Sequence, residues 1–311
     1  MRVLITGAAG FIGSHVCERF LRAGFEVVAV DDLSSGRESN LPKGVDFRRL
    51  DVRDEAVSRL VRDLRPRAIA HLAAQIDVRR SVADPLADAD INVMATLRLA
   101  RDAAEAGCER IVFSSTGGAI YGEQDVFPAS ETHACRPVSP YGTAKLCAEH
   151  YLAFFERSGG AACVRLRYAN VYGPRQDPHG EAGVVAIFAG KLLAGQTCTV
   201  HGSGEQTRDF VYVRDVAEAN FLAISTEASG AYNIGTGLET DINSLYARMA
   251  RIAGVDLPVR YGPQAPGEQL RSSIDPSAAG RDLGWKPETD LDTGLRETIE
   301  FFRHSDTGAR R

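Results

Sequence analysis

Short apolar runs alternate along the first half of the chain with segments whose apolar residues recur at helical spacing. Five runs predict strands at 2–6, 26–31, 46–52, 68–73 and 110–115. Between them, segments such as 14–24 and 55–64 carry apolar residues every three or four positions, which predicts helices. Strands that alternate with helices indicate a parallel sheet with crossover helices on both faces. The predicted fold class is therefore α/β, with a doubly wound parallel sheet.

The rhythm changes after about Asn170. A loop rich in Gly, Pro and charge at 171–184 precedes a predicted helix at 185–195 and a strand at 197–202. Segments 208–224 and 230–237 then predict a return to the main sheet, and two further helices follow from Asn243. We predict a larger domain of residues 1–170 plus about 209–240, and a smaller discontinuous C-terminal domain of about 171–208 and 241–305.

Three glycines follow the first strand at the start of the first helix. Gly7, Gly10 and Gly13 have the spacing G-x-x-G-x-x-G. Such glycines suit a tight turn, a close approach of the backbone to a pyrophosphate, and close packing of the helix on the strand. The larger domain is therefore predicted to be a Rossmann domain that binds a dinucleotide.

Polar residues at three later strand ends extend this prediction. Asp31 and Asp32 end the second strand, where a carboxylate accepts hydrogen bonds from an adenosine ribose and repels a 2′-phosphate. Asp51 and Val52 end the third strand, where a carboxylate meets an adenine edge, and "HLAAQ" ends the fourth. The expected cofactor is NAD rather than NADP, although Arg37 nearby weakens that preference.

A tyrosine and a lysine lie one helical turn apart at the start of a predicted helix. Tyr141 and Lys145 share one helical face, Ser139 suits the N-cap and Pro140 the first turn. A nearby ammonium and an oxidised nicotinamide are expected to lower the pKa of the phenol from its usual value of about 10. A phenolate is then a base for a substrate hydroxyl. Thr116, at a hydroxyl-rich strand end, is expected to orient that hydroxyl.

Composition excludes several other classes of protein. The 311 residues are 44% hydrophobic and 25% charged, with a formal net charge of -5 and no long basic run, which argues against nucleic acid as a partner. The chain opens directly on a strand, without a secretory segment, and has no long apolar window, so no membrane span is expected. The six cysteines have no C-x-x-C spacing, which predicts a cytoplasmic protein with reduced thiols and no metal site.

Eight stretches together resemble the extended short-chain dehydrogenase/reductase family, and within it UDP-glucose 4-epimerase and related nucleotide-sugar epimerases. They are "GAAGFIGSH", "DD", "LDVRD", "HLAAQ", "SSTGGAIYG", "SPYGTAK", "LRYANVYGPRQ" and "RDFVYVRDVAEA", and the resemblance covers essentially the whole chain. It implies an isomerase that oxidises a UDP-hexose of the glucose/galactose type at C4, lets the 4-keto sugar rotate, and returns the hydride to the other face. UDP-glucuronate and UDP-N-acetylglucosamine are alternative substrates.

The resemblance also implies a role for individual residues. Tyr141 would be the base, Lys145 would hold the nicotinamide ribose, and Thr116 would assist at the 4-hydroxyl. The implied cofactor residues, besides Tyr141 and Lys145, are Gly7, Gly10, Phe11, Ile12, Gly13, Asp31, Asp32, Ser34, Ser35, Gly36, Asp51, Val52, Leu72, Ala73, Ala74, Gln75, Asn92, Ser114 and Tyr168. The implied substrate residues, besides Thr116 and Tyr141, are Gly117, Gly118, Asn170, Val184, Thr199, Val200, His201, Arg208, Arg271 and Ser272.

Several positions depart from the family pattern. Gly117 and Gly118 stand where 4,6-dehydratases carry Asp-Glu, so dehydration is the less favoured reaction, and the extra glycine is expected to leave room beside the sugar. The stretch 265–268 lacks the family's diphosphate-binding Arg, for which Arg271 or Arg260 is a candidate substitute. The small Ser272 suggests a pocket that admits N-acetylated sugars. The resemblance further implies a homodimer through helices at about 87–106 and 141–157.

Overall fold

A parallel seven-stranded sheet forms the centre of the protein. The computed structural model describes residues 1–179, 183–264 and 269–306. The strands are β1 (Arg2–Thr6), β2 (Glu26–Asp31), β3 (Asp46–Arg49), β4 (Ala68–His71), β5 (Arg110–Thr116), β6 (Ala162–Tyr168), β7 (Asn170–Tyr172), β8 (Thr199–His201), β9 (Thr207–Arg208), β10 (Phe210–Tyr212), β11 (Gly230–Ile234), β12 (Thr240–Asp241) and β13 (Arg260–Gly262). The main sheet has the order β3-β2-β1-β4-β5-β6-β11, and every neighbouring pair in it is parallel. This confirms the doubly wound α/β prediction.

Helices cover both faces of this sheet. They are α1 (Phe11–Arg22), α2 (Glu55–Leu64), α3 (Val78–Ala83), α4 (Pro85–Ala89), α5 (Ala95–Glu105), α6 (Gly117–Ile120), α7 (Pro140–Arg157), α8 (Val184–Leu193), α9 (Val213–Ser225), α10 (Ile242–Ala253), α11 (Ser277–Asp282) and α12 (Leu291–Asp306). A π-helical turn, Asp90–Met94, joins α4 to α5. The predicted helix at about 87–106 therefore contains a change of helical type.

Alternation along β1 places its side chains in two cores. Val3 and Ile5 pack on one face with buried residues of α1 and α9, whereas Leu4 packs on the other with residues of α2, α5 and α7. Burial on both faces explains why the strands read as continuous apolar runs. A third core forms away from the sheet, between α8, α10, α12 and the short strands β8 and β10.

The structure differs from the sequence predictions in four places. Strand β3 ends at Arg49 and β4 at His71, three and two residues earlier than predicted. Segment 208–224 does not return to the main sheet as a strand: its strand β10 pairs with β7 in a separate two-stranded sheet, and its helix α9 packs on α1. Segment 230–237 does return, because β11 pairs with β6 in the main sheet. In the described part of the chain after Asp241 there are three helices, α10 to α12, where two were predicted. Among the described residues, no helix is long and apolar enough to cross a membrane. The division into two domains stays a prediction.

Candidate active site

The glycine-rich turn forms a cradle at the N-terminus of α1. Gly7 has a φ of 67°, and a Cβ there would lie 2.7 Å from the backbone carbon of Leu72, which only glycine avoids. Gly10 is the N-cap of α1 and has no side chain to cap the helix. The Cα of Gly13 packs directly against the backbone of Gly7. The N–H groups of the first turn, which includes Phe11 and Ile12, are therefore available to an anion, as the pyrophosphate of NAD requires.

Asp31 and Asp32 have different surroundings at the end of β2. Buried Asp31 accepts hydrogen bonds from the N–H groups of Ala9 (2.9 Å) and Leu33 (2.8 Å), and its burial raises the pKa of the carboxyl. Asp32 is exposed and accepts from the N–H and hydroxyl of Ser34. A carboxylate has about four acceptor positions, so Asp31 keeps capacity for a ribose.

The loop after β2 closes on the glycine turn. Ser34 and Ser35 are exposed, and Gly36 packs so closely on Asp31 and Ala9 that a Cβ would lie 2.9 Å from the Asp31 Oδ1 atom. Arg37 donates its backbone N–H to the Ala9 carbonyl, and its side chain lies 3.8 Å from the Asp177 carboxylate. The predicted cofactor residues of this loop thus lie beside the cradle.

Asp51 lies two residues beyond β3, because a tight turn that closes with an Asp54 N–H to Asp51 carbonyl bond ends the strand early. Its carboxylate accepts two-pronged hydrogen bonds from Arg53, the shorter 2.6 Å, and this pairing lowers the pKa of Asp51. Val52 lies within the same turn. Arg53 was absent from the sequence prediction, although its position two residues after a strand-end carboxylate could have indicated it.

A hydroxyl-imidazole chain that the sequence analysis missed supports the end of β4. The Thr96 hydroxyl donates to the Asn92 carbonyl (2.9 Å), so it accepts from His71 Nε2–H (3.0 Å). His71 Nδ1 is then the acceptor from Thr6 (2.7 Å), whose oxygen in turn accepts from the N–H of Ala73 (3.2 Å). Burial lowers the pKa of His71 to about 3, which agrees with a neutral ring. A histidine inside an apolar strand is the feature of the sequence that could have indicated this chain of hydrogen bonds.

Gln75 and Asn92 bind each other as well as a third residue. Asn92 accepts from the Gln75 N–H (3.1 Å) and donates to its carbonyl (2.9 Å). Both side-chain amides donate to Asp88 Oδ1, each at 2.9 Å. We call Gln75, Asp88 and Asn92 the Asp88 network. This network fixes Gln75, the last residue of "HLAAQ" after Leu72, Ala73 and Ala74, to the π-helical turn. The sequence analysis missed Asp88 because its position is typical of an ordinary residue on a helix surface.

Tyr141 and Lys145 lie in the first two turns of α7, whose N-cap is Ser139 as predicted. Lys145 Nζ donates to the Ser114 carbonyl of β5 (2.9 Å) and lies 6.0 Å from the centroid of the Tyr141 ring. Burial lowers the pKa of Lys145 to about 8. The structure thus brings the Tyr–Lys pair to the end of β5, the strand that carries Thr116.

The pKa of Tyr141 moves opposite to the sequence expectation. Burial, followed by the negative charge of Asp88, raises the pKa of the phenol. Burial disfavours the charged phenolate and therefore raises the pKa of the phenol. The lowering of the Tyr141 pKa that was expected from Lys145 is therefore not produced by the residues of the chain alone.

The two glycines after Thr116 occupy different environments. A Cβ on Gly117 would lie 2.8 Å from Ile274 Cδ1, so the space beside this glycine is already filled. At Gly118 the nearest atom to such a Cβ is Thr116 Oγ1, at 3.9 Å. The expectation of extra room beside the sugar is thus wrong for Gly117, because Ile274 packs there. For Gly118 that expectation stays a prediction.

Ser114, two residues before the end of β5, and Tyr168, the last residue of β6, belong to one hydrogen-bonded group. Their hydroxyls are 2.9 Å apart, and Asn220 Nδ2 donates to the Tyr168 oxygen at 2.8 Å. Both residues are buried, at the carboxyl edge where dinucleotides bind in such sheets. Asn220, on α9, was not predicted.

A second buried polar group holds α7 against the sheet one turn beyond Lys145. Arg167 of β6 forms a two-pronged ion pair with Glu149 (2.7 Å at its shortest) and donates to the Tyr121 hydroxyl (3.0 Å). Glu149 also accepts from Ser115, and Tyr121 donates to Asn233 (2.7 Å). We call Ser115, Tyr121, Glu149, Arg167 and Asn233 the clamp network. It explains the second serine of "FSST" as a fold-forming residue.

The predicted substrate residues lie on the short sheets and on α8. Asn170 begins β7 and donates to the Asp209 carbonyl (3.2 Å), and Val184 is the first residue of α8. Thr199, Val200 and His201 form β8, which pairs with β13 and therefore with Arg260.

Arg208 and Asp209 are neighbours with different partners. Arg208 donates to the Thr207 carbonyl (2.8 Å). The buried Asp209 carboxylate accepts from the Thr236 N–H and hydroxyl, the Gly237 N–H and the Ile274 N–H. Asp209 thus orders three backbone segments.

Arg271 and Ser272 adjoin the stretch 265–268, which lies outside the described residues. The exposed Arg271 side chain pairs with Glu239, with one contact at 2.9 Å, and stacks 3.9 Å over the Phe127 ring. Ser272 is buried, with 3% of its surface exposed. Arg271 would have to exchange Glu239 for a diphosphate if it replaced the missing arginine.

Comparison with known proteins links this geometry to a family. The model of the NAD dependent epimerase/dehydratase family matches residues 3–235. A UDP-glucose 4-epimerase of Mycolicibacterium smegmatis is 44% identical, over 98% of this chain and 99% of that protein. The crystal structure of UDP-glucose 4-epimerase with UDP-glucose from Thermotoga maritima is 45% identical with a TM-score of 0.96, over 98% and 99% of the two chains.

A further solved structure bears on the sugar. UDP-N-acetylglucosamine 4-epimerase from Methanobrevibacter ruminantium, in complex with UDP-N-acetylmuramic acid, is 34% identical with a TM-score of 0.94 and covers 98% of each chain. The same fold, at these levels of identity, thus accompanies 4-epimerases named for sugars that differ at C2.

Proposed function

Because the chain belongs to the NAD-dependent epimerase/dehydratase family, we propose that it is an isomerase that inverts C4 of a UDP-hexose of the glucose/galactose type, with NAD as its cofactor. The observation that carries this is the placement of Tyr141 and Lys145 beside the end of β5, with Lys145 on the Ser114 carbonyl. A glycine cradle at the N-terminus of α1 lies at the same edge of the sheet. The residues present therefore fit a dinucleotide next to a proton-transfer pair.

The chain's own residues would handle the proton. The Tyr141 phenolate takes the proton of the sugar 4-hydroxyl and later returns it. Lys145, fixed by Ser114, holds positive charge near that oxygen, and Thr116 orients the hydroxyl. NAD, held at the glycine cradle of α1, would supply the redox chemistry as the acceptor and donor of the C4 hydride. Atoms and electrons balance over the cycle, so no net oxidation results.

Dehydration is the less favoured reaction. It requires an acid/base pair to remove water, and this chain has Gly117 and Gly118 in place of carboxylates. Ile274 packs against Gly117 closely enough that an acidic side chain would not fit there without movement of β6 or Ile274. The same two glycines therefore support epimerisation.

The sugar has two further candidates. The small and buried Ser272 supports UDP-N-acetylglucosamine, and a UDP-N-acetylglucosamine 4-epimerase is among the similar structures. UDP-glucuronate remains a candidate because Arg271 and Arg260 offer cationic groups near the substrate strands.

One experiment separates these possibilities. Purified protein is incubated with UDP-glucose, UDP-glucuronate and UDP-N-acetylglucosamine in turn, without added NAD, and the products are resolved by NMR. We expect a C4-inverted product from UDP-glucose. A 4-keto-6-deoxy product would show that the protein is a dehydratase rather than an epimerase. Retained NAD with no turnover of any of the three sugars would contradict the proposed activity.

We further propose a homodimer and a cytoplasmic location. Four large apolar side chains are exposed on two neighbouring helical segments, Leu86 and Met94 on the α4–α5 run, and Tyr151 (44%) and Phe154 (54%) on α7. All six cysteines are free thiols, as is usual in a reducing compartment. Light scattering of Phe154→Glu should give the mass of a monomer, while the matched exposed control Leu238→Glu should keep the dimer. A monomeric wild-type protein would contradict the dimer.

A further inference from the structure

The charge of Lys145 lacks a direct counter-ion. Its side chain is 3% exposed, and the hydrogen bond of its Nζ goes to the neutral Ser114 carbonyl. An ammonium has three donors. Among residues 1–179, 183–264 and 269–306, no carboxylate forms a direct ion pair with it. A buried charge in this state is unfavourable, and the pKa of Lys145 is correspondingly lowered to about 8 by burial.

Two buried carboxylates raise the pKa of Lys145 against this effect, Asp88 and Glu149. The charge of Glu149 is compensated, because both of its oxygens bind Arg167. Asp88 binds only the neutral amides of Gln75 and Asn92, both through Oδ1. The uncompensated negative charge near Lys145 is therefore that of Asp88.

The second oxygen of Asp88 is the complementary open group. Asp88 is 1% exposed, and no described residue donates a hydrogen bond to its Oδ2. Its helix, α4, packs against α7, which carries Lys145. Two buried groups of opposite charge, on packed helices and each with unused hydrogen-bonding capacity, are expected to be joined by a buried water molecule.

We propose that Asp88 is a positioning residue: it is the counter-ion of Lys145, reached through one water molecule between Oδ2 and Nζ, and it keeps the lysine protonated beside Tyr141. The proposal rests on the proposed function for its effect on turnover. Its effect on the lysine itself does not depend on any substrate.

The proposal fixes the direction of two changes. Without the charge of Asp88, Lys145 should lose its proton at a lower pH. The phenol of Tyr141 should do the same, since Asp88 also raises the pKa of Tyr141. The other titratable groups facing Lys145 are Glu149, paired with Arg167, and His71, neutral with both ring nitrogens bonded. Both limbs of the pH profile of turnover should therefore move toward acid.

The sequence makes a direct measurement practical. The chain has four lysines, Lys43, Lys145, Lys191 and Lys286. Protein labelled with carbon-13 at the lysine ε position gives few signals, and Lys145→Met assigns the buried one. We expect Asp88→Asn to lower the NMR-measured pKa of Lys145 by about half a pH unit to one unit. The matched control is Asp102→Asn, because Asp102 is equally buried but pairs with Arg101 on α5.

Further variants keep the test decisive. Asp88→Glu retains the charge and should restore the Lys145 titration, and Asp88→Ser replaces Asp88→Asn if that variant does not fold. The titration of turnover should show the same acid shift for Asp88→Asn and none for Asp102→Asn. An unmoved Lys145 titration, with turnover reduced equally at every pH, would overturn the proposal and leave Asp88 a structural role. Absence of turnover in wild-type protein would contradict the proposed function instead, and the NMR result would still stand.

Discussion

Two buried polar networks contact α7 one helical turn apart, and they differ in how completely they are satisfied. In the clamp network, Arg167 and Glu149 neutralise each other. The Tyr121 hydroxyl accepts from Arg167 and donates to Asn233, whose amide group donates to the Ala129 carbonyl. Buried ion pairs of this kind offset their desolvation through good geometry and added hydrogen bonds. The clamp network therefore serves the fold.

The Asp88 network is satisfied on one side only. Gln75 and Asn92 saturate Asp88 Oδ1, whereas Oδ2 has no described donor and Lys145 keeps unused N–H groups. Open polar atoms in a buried site cost stability, so proteins keep them where a ligand or a reaction uses them. We therefore propose that incomplete satisfaction of hydrogen bonds, rather than burial or charge, distinguishes the Asp88 network from the clamp network.

The largest expected effect is on activity, at Tyr141, whose pKa the charge of Asp88 raises. Tyr141→Phe removes the proton acceptor and should reduce turnover of UDP-glucose by about 10³-fold, within the range for loss of a general base. NAD should remain bound, because the cradle at α1 is untouched. Absorbance of the bound cofactor and NMR of the product check both statements, and wild-type-like turnover would show that Tyr141 is not the base.

The next effect is on stability at the clamp network. Arg167→Met leaves Glu149 buried without its partner and should lower the free energy of unfolding by about 3–5 kcal/mol. Urea denaturation measures this. The comparison variant is Arg303→Met, whose ion pair with Glu300 is exposed and should matter by less than about 1 kcal/mol. Equal losses of unfolding free energy in the two variants would contradict the structural role assigned to the clamp network.

Acid should destabilise the protein through His71, which joins the Asp88 network by way of Thr96. The pKa of His71 is about 3 in the folded chain, because of burial, against about 6.5 when unfolded. The unfolded state thus binds more protons below pH 6.5, and stability is lost progressively as the pH falls from 6.5 toward 3, by about 1.4 kcal/mol per pH unit. Urea denaturation at several pH values should show a shallower loss for His71→Asn. The exposed control His150→Gln should keep the wild-type slope.

The smallest effects concern the two glycines after Thr116. Gly117→Ala should cost about 1–3 kcal/mol, since the new methyl meets Ile274 at 2.8 Å. Gly118→Ala should change stability by no more than about 0.5 kcal/mol, because its nearest neighbour is 3.9 Å away. Thermal unfolding of the pair decides whether the space lies at the second glycine, and a larger loss for Gly118→Ala would reverse that assignment.

Sequence reasoning succeeded where the relevant residues are close along the chain. Gly7, Gly10 and Gly13 fall in one turn, and Tyr141 and Lys145 in one helix, so spacing alone predicted their shared location. Strand ends were less accurate, because β3 stops at a turn closed by a local Asp51 hydrogen bond. The small sheets escaped prediction, since β7 and β10 are three residues long and 40 positions separate their first partners, Asn170 and Phe210.

The sequence by itself determined which segments along the chain alternate as strands and helices of a parallel sheet, because the spacing of apolar residues encodes them. Local spacing likewise determined the glycine cradle and the Tyr–Lys pair. Tertiary structure alone decided the chemistry around them. Asp88 and Lys145 lie 57 positions apart, and only the packing of α4 on α7 makes one the uncompensated charge near the other. Burial, which no local pattern specifies, then set the pKa directions of Tyr141, Lys145 and His71.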